Sequence, residues 1–309
     1  MSAKERRVRC VAPAGAMLGE GPLWSAAESA LYWVDILGNA IHRYDVVRER
    51  SGVFRTPFAI TALAPMADGR LLCTSHRRLH AFDPRSGRIA TSDAFDAGPG
   101  SIRINDGSCH PDGAFWFGTM DLEESAPTGD FFRLAVDGRC SRLPAGFAIT
   151  NGPAFPAHGA LGYFVDTLRK QILRAPIENG IPADAPTSFI EIAADEGYPD
   201  GLAVDADGGI WCAHFGGGRV SRFDASGHRS ESIELPVSNV TKAAFGGEAL
   251  DRLYVTTARK GLDAAALAAE PLAGGLFEIE VGHRGSPPHE YRGVLHFDAA
   301  MHDCVFETS

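Results

Sequence analysis

Long apolar runs are missing from this chain. Nothing in its 309 residues comes near the ~18–20 consecutive apolar positions of a membrane-spanning helix, and the charged opening MSAKERRVRC has no apolar core of the kind a secretion leader carries. A soluble cytoplasmic protein with no membrane partner is the expectation. Cysteine is sparse and scattered: Cys10, Cys73, Cys109, Cys140, Cys212 and Cys304 include no C-x-x-C pair, so they read as reduced, packed thiols. Basic charge is also short. The 29 Lys and Arg stand against 39 Asp and Glu, a net of −10, which argues against nucleic acid as a partner because phosphate neutralisation needs a basic face. No G-x-S-x-G elbow, no G-x-G-x-x-G or G-x-x-x-x-G-K-[ST] loop and no H-E-x-x-H occurs, which removes serine hydrolases, nucleotide folds and histidine-rich metal centres. His76 and His80 are four residues apart on strand-like sequence and read as solvated. Extended helical stretches are nearly absent; the best is DAAALAAEP (263–271), with Asp263 as N-cap and Pro271 as stop.

What the chain does have is turns. Its 35 glycines and 19 prolines punctuate many short apolar segments, and Asp-Gly pairs at 68–69, 112–113, 137–138 and 207–208 suit hairpin reversals. One pattern recurs: a short strand of small residues, a turn, then an apolar strand often bearing Trp or Tyr. It opens at Glu20 (EGPLWSAAESALYWVD), Thr61, Asn105, Asn151 (NGPAFPAHGALGYFVD), Asp200 (DGLAVDADGGIWCAH) and Thr241. The spacing is 41 to 49 residues, and each unit holds about four strand-like runs, the signature of a propeller blade. The expected fold is therefore all-β, a six-bladed β-propeller with four-stranded antiparallel blades. Residues 1–309 form one domain with blades starting near 18, 59, 103, 149, 198 and 239. RRVRCVAP (6–13) supplies the outer strand of the last blade and closes the ring. The tail 294–309 fits no unit and has no assigned role.

Equivalent positions on the innermost strands of a propeller ring its central channel. Here those positions are Glu, Thr, Asn, Asn, Asp and Thr, all bearing oxygen. Glu20, Asn151 and Asp200 are the informative subset: two carboxylates and an amide carbonyl from separate blades make an oxygen-only site of formal charge −2. Hard divalent ions take such ligands together with water, and a bound ion removes the cost of burying two carboxylates side by side. The expected cofactor is one divalent metal ion, Ca²⁺ or Zn²⁺ first, with Mn²⁺, Mg²⁺ and Fe²⁺ admitted by the same ligands.

GEGPLW (19–24), RINDGSCHPDGAFWFGTM (103–120), ITNGP (149–153), YPDGLAVDADGGIWCAHFGGGRVSRFD (198–224), LYVTTARKGLD (253–263) and PLAGGLFEI (271–279) together resemble the SMP-30/gluconolactonase/LRE family, which includes regucalcin. The resemblance runs from about residue 18 to 293 in order. It implies a six-bladed propeller that hydrolyses a sugar lactone, such as a glucono- or pentono-lactone, to the sugar acid with a divalent metal in the channel. It implies that Glu20, Asn151 and Asp200 hold the metal and that Arg103, Asn105 and Glu123 contact substrate, with Asp121 and Glu124 as neighbours of the last. The catalytic residue is expected to be Asp200, which reaches a water beside the metal and either takes its proton or, as a ligand, orients the hydroxide. Asp106 matches the same motif and reads as a turn residue. A non-enzymatic calcium-binding regulatory protein, or a metal-dependent hydrolase of another ester, is the alternative. Oligomeric state is not readable.

Overall fold

Apolar strands of five to eight residues, separated by reversals that glycine and asparagine tolerate, leave the chain few options other than repeated small antiparallel sheets. The structure, a computed structural model, describes residues 7–98 and 100–308. It is a six-bladed β-propeller. The inner strands are Gly19–Ser25, Ile60–Pro65, Ile102–Cys109, Thr150–Ala154, Tyr198–Val204 and Val240–Gly246. Each packs against the inner strands of the blades before and after it, and the sixth closes on the first. The Asp-Gly turns place Gly69, Gly113, Gly138 and Gly208 at φ between 82° and 90°, a conformation a Cβ disfavours.

Ring closure is antiparallel: Val8–Ala12 pairs with Leu276–Glu280, the third strand of blade six. The strand that precedes blade one thus completes the sheet of blade six and ties the two ends of the ring together. Between and within the blades lie aromatic cores. Trp33, Trp116 and Trp211 are wholly buried in blades one, three and five, with Tyr254 in blade six. In blade five, Asp205 accepts the Trp211 indole N–H at 2.9 Å, Arg222 Nε at 2.7 Å and two backbone N–H groups from its own turn. That buried carboxylate ties turn, core and second hairpin together.

Two parts of the chain behave differently from the sequence reading. The tail, left without a role, supplies extra edge strands: Phe297–Asp303 pairs with Arg88–Asp96 of blade two, and Val305–Thr308 with Arg50–Arg55 of blade one. Before that, the chain crosses the end of the ring where the inner strands finish, through Ala206 N–H to Arg284 O, Tyr291 N–H to Pro65 O and Arg292 N–H to Gly113 O. Phe306 lies on Phe54 with ring centroids 4.6 Å apart. It covers Gly52, where a Cβ would sit 2.4 Å from the ring. His80 is buried, not solvated. Its Nε2 meets Ser75 Oγ at 2.8 Å, its Nδ1 meets Thr91 Oγ1 at 3.1 Å, and its ring stacks on Phe58; burial pushes its pKa down to about 4. His76 is half-buried. The helix Ala264–Ala269 is present, capped by Asp263 through the Ala266 N–H. All six cysteines are free. Among the described residues, no helix is long and apolar enough to cross a membrane.

Candidate functional site

Each inner strand loses register with the strand beside it at the same level of the ring. The irregularities fall between Glu20 and Leu23, Ile60 and Ala62, Ile104 and Gly107, Asn151 and Ala154, Pro199 and Leu202, and Val240 and Lys242. Such irregularities bend a strand and re-aim its side chains, which here turns them toward the axis. Glu20, Asn105, Asn151 and Asp200 consequently line one cavity of about 300 Å³ at the end where the inner strands begin. The two threonines of the expected ring take no part: Thr61 bonds Thr74 at 2.7 Å, and Thr241 bonds Gly19 O and Thr256 inside the wall.

Local structure fixes each residue. The Asp35 carboxylate accepts the N–H groups of Met17 and Leu18 at 3.0 Å, setting the approach to Glu20. Glu20 accepts the Gly21 N–H at 2.9 Å. Asn105 donates one amide hydrogen to Thr150 O at 2.8 Å and the other to Asn151 Oδ1 at 3.0 Å, while its own oxygen accepts from Arg103 Nη1 at 2.8 Å. Asn151 in turn donates to Thr167 Oγ1 at 3.0 Å. These contacts fix the Asn151 carbonyl and leave it one free lone pair. Asn105 has spent both of its donors inside the protein, so it orients Asn151 and Arg103 and has only an acceptor to offer a ligand.

Glu20 and Asp200 are both buried, and among the described residues neither has an ion-pair partner within 4.0 Å. Burial, with repulsion from Asp106, raises the Glu20 pKa to about 7. Burial, with repulsion from Glu20, raises that of Asp200 well above the usual carboxylate range. Two carboxylates that resist ionisation side by side, next to a fixed amide oxygen, form a donor set that fits a hard divalent cation. Among the described residues no three of His, Cys, Asp and Glu come together, so a cation site on the axis would need the amide as a ligand.

Arg103 is buried at the cavity wall. Its Nη1 serves Ile104 O and Asn105, and among the described residues no carboxylate lies within ion-pair distance of it. Desolvation lowers its pKa, countered by Glu124, Glu20 and Asp200. Glu123 is exposed and does not line the cavity; Glu124 does, held by Lys260 across the mouth. Of the neighbouring glutamates, the structure thus brings Glu124 to the cavity and leaves Glu123 outside it. Glu124 stands at φ 56° in the turn that Asp121 anchors through the Ser125 and Ala126 N–H groups, and this left-handed step turns its side chain inward. Lys260, half-buried on the loop after blade six's second strand, was not singled out by the sequence. Only its place within LYVTTARKGLD gave a signal.

Comparisons with known proteins agree over nearly the whole chain. Residues 18–259 match the family model described as the SMP-30/Gluconolactonase/LRE-like region. The chain is similar to a pentonolactonase, XacC, of Haloferax volcanii, 34% identical over 281 residues, covering 87% of this chain and 93% of that protein. It is also similar to regucalcin of Oryctolagus cuniculus, 30% identical over 297 residues, covering 93% and 99%. Among solved structures, a calcium-binding protein, regucalcin, from Agrobacterium tumefaciens superposes with a TM-score of 0.88 at 33% identity, over 93% of this chain and 98% of that one.

Proposed function

Because this chain belongs to the SMP-30/gluconolactonase/LRE-like family, we propose that it is a divalent-metal-dependent sugar lactonase, opening an aldonolactone such as a glucono- or pentono-lactone to the sugar acid. The observation that carries the reading is the pair of buried carboxylates, Glu20 and Asp200, beside the fixed Asn151 oxygen and under the guanidinium of Arg103. Relatives named as lactonases support the reaction class, and a relative described as calcium-binding supports a cation.

Glu20, Asn151 and Asp200 are the residues that would hold the ion, whose chemistry when bound is polarisation of the lactone carbonyl and stabilisation of negative charge. Hydrolysis joins a water oxygen to the acyl carbon and breaks the bond from that carbon to the ring oxygen. The leaving ring oxygen takes up the proton removed from water and becomes a hydroxyl, and the carboxylic acid formed then releases the second water proton to solvent. Among the described residues no hydrogen bond to the Asp200 carboxylate is seen, whereas Glu20 accepts the Gly21 N–H; this supports Asp200 as the group that takes the water's proton at a carboxylate oxygen. Among the described residues Arg103 commits Nη1 alone, so Nη2 and Nε remain for lactone oxygens, and its planar fork fixes their orientation. Asn105 holds that guanidinium in place. Glu124 and Lys260 bound the mouth, where sugar hydroxyls would lie.

The test is acid release, followed with a pH indicator, from glucono- and pentono-lactones by protein stripped with chelator and resupplied with Ca²⁺, Zn²⁺, Mn²⁺, Mg²⁺ or Fe²⁺. Release restored by at least one ion and lost in Asp200→Asn is expected. No release above the uncatalysed rate with any ion would overturn the aldonolactonase reading in favour of a non-enzymatic cation-binding protein or a hydrolase of another ester. Equal turnover by Asp200→Asn would overturn the site assignment.

A further inference from the structure

One step further along each inner strand, the second residues of the six units are Gly21, Ala62, Asp106, Gly152, Gly201 and Lys242. Four are glycine or alanine and leave the axis open. The other two belong to blades three and six, which face each other across a six-membered ring. Lys242 reaches over the axis and donates from Nζ to Asp106 Oδ1, and both residues are buried. Its stem lies across Gly201: a Cβ there would sit 2.4 Å from Lys242 Cγ and 2.6 Å from its Cβ. Asp106 also accepts the Gly107 N–H at 2.7 Å and, through Oδ2, the Gly152 N–H at 3.0 Å. Gly152 follows Asn151 directly and Gly201 follows Asp200. The ion pair therefore touches the backbone next to two of the three candidate ligands. Asp106 stands in the middle of an inner strand, not in the turn that the motif suggested.

The pair also separates two cavities: the one holding Glu20 and Asp200, and another at the far end of the channel, lined by Gly21, Gly107 and Lys242 and crossed by Ser286–His289. Without Lys242 the axis would carry three carboxylates, Glu20, Asp106 and Asp200. With it these four axial side chains sum to −2 in place of −3, and the Arg103 guanidinium adds one further positive charge from the cavity wall.

We infer that Lys242 is a positioning residue that sets the charge of the cation site through Asp106, offsetting one of the three axial carboxylates and so limiting how tightly a cation is held. This rests on the reading of Glu20, Asn151 and Asp200 as the ligands. Its consequence is opposite to that of an ordinary buried contact: removing the lysine strengthens cation binding, because one positive charge beside the ion disappears.

The test is Ca²⁺ titration by calorimetry, repeated with Tb³⁺ by luminescence, on chelated full-length protein whose fold is checked by a thermal scan. Lys242→Met is expected to bind Ca²⁺ about tenfold tighter or more, with a larger gain for Tb³⁺, since the effect scales with the ion's charge. Asp106→Asn, which removes a negative charge, is expected to bind about tenfold weaker or more. The double variant Asp106→Asn/Lys242→Met is expected to return to within about threefold of the parent, since its fixed charge is again −2. A folded Lys242→Met that binds equally or more weakly overturns the inference. If that variant does not fold, Asp106→Asn and the double variant decide: undiminished binding in the first, or failure to recover in the second, overturns it. A parent protein that binds no cation removes the ligand reading itself; a parent that binds with variants that fail the pattern removes only this inference.

Discussion

Glu20→Gln is expected to stabilise the protein when no cation is present, although it removes a proposed ligand. The Glu20 carboxyl is raised from 4.5 to about 7 by burial and by Asp106, so the folded state holds its proton more tightly than the unfolded chain does. The sign follows from linkage: stability from this group is fully present below pH 4.5 and is lost as pH rises through about 7. At 1.36 kcal/mol for each pH unit, the loss above pH 7 is about 3 kcal/mol. A neutral amide of the same shape does not incur it. In chelator at pH 8, Glu20→Gln should therefore unfold at higher urea than the parent, by up to about 3 kcal/mol, and the two curves should converge toward pH 5. Adding excess Ca²⁺ should reverse the order, because ligand binding stabilises only the chain that can bind. Urea titrations at pH 5 and pH 8, with and without Ca²⁺, read all four values. A Glu20→Gln variant no more stable than the parent at pH 8 in chelator would refute the argument that this carboxylate is held at a cost until a cation arrives.

Three further outcomes follow from packing and charge. Asp205→Ala strips the buried Arg222 guanidinium and the Trp211 indole of their shared acceptor and should cost about 3–5 kcal/mol in urea unfolding. Gly201→Ala drives a methyl into the Lys242 stem and should cost about 1–3 kcal/mol of stability, read as a lower midpoint in a thermal scan. Gly52→Ala collides with the Phe306 ring and should free the last edge strand, seen as faster proteolytic clipping near residues 304–308 while the midpoint of global unfolding changes little.

Much of the fold was legible because most blades repeat the same cues: a small-residue inner strand, a turn that is Asp-Gly in blades two, three and five, and, in every blade but the second, a large aromatic residue buried on the next strand. Glu20, Asn105, Asn151 and Asp200 were legible as a group for the same reason, since ring symmetry converts equal positions in the repeats into neighbours in space. The last sixteen residues were not legible, because an edge strand such as Val305–Thr308 is exposed along its length and so shows no alternation. That Glu124 and not Glu123 lines the cavity was not legible, as residue counting cannot see a left-handed step in a turn. Lys242 and Asp106, 136 residues apart, meet only because units three and six stand opposite each other; neither has a local signal that predicts an ion pair. His80 looked like a surface residue because the serine and threonine that satisfy its ring lie on neighbouring strands.

The central claim is that oxygens of Glu20, Asn151 and Asp200 meet on one cation. Anomalous diffraction from crystals soaked in Mn²⁺ tests it most directly. One strong peak is expected on the channel axis, at about 2.0–2.6 Å from an oxygen of each of the three residues. A peak bound elsewhere, or an ordered axis with no peak at saturating Mn²⁺, would contradict it.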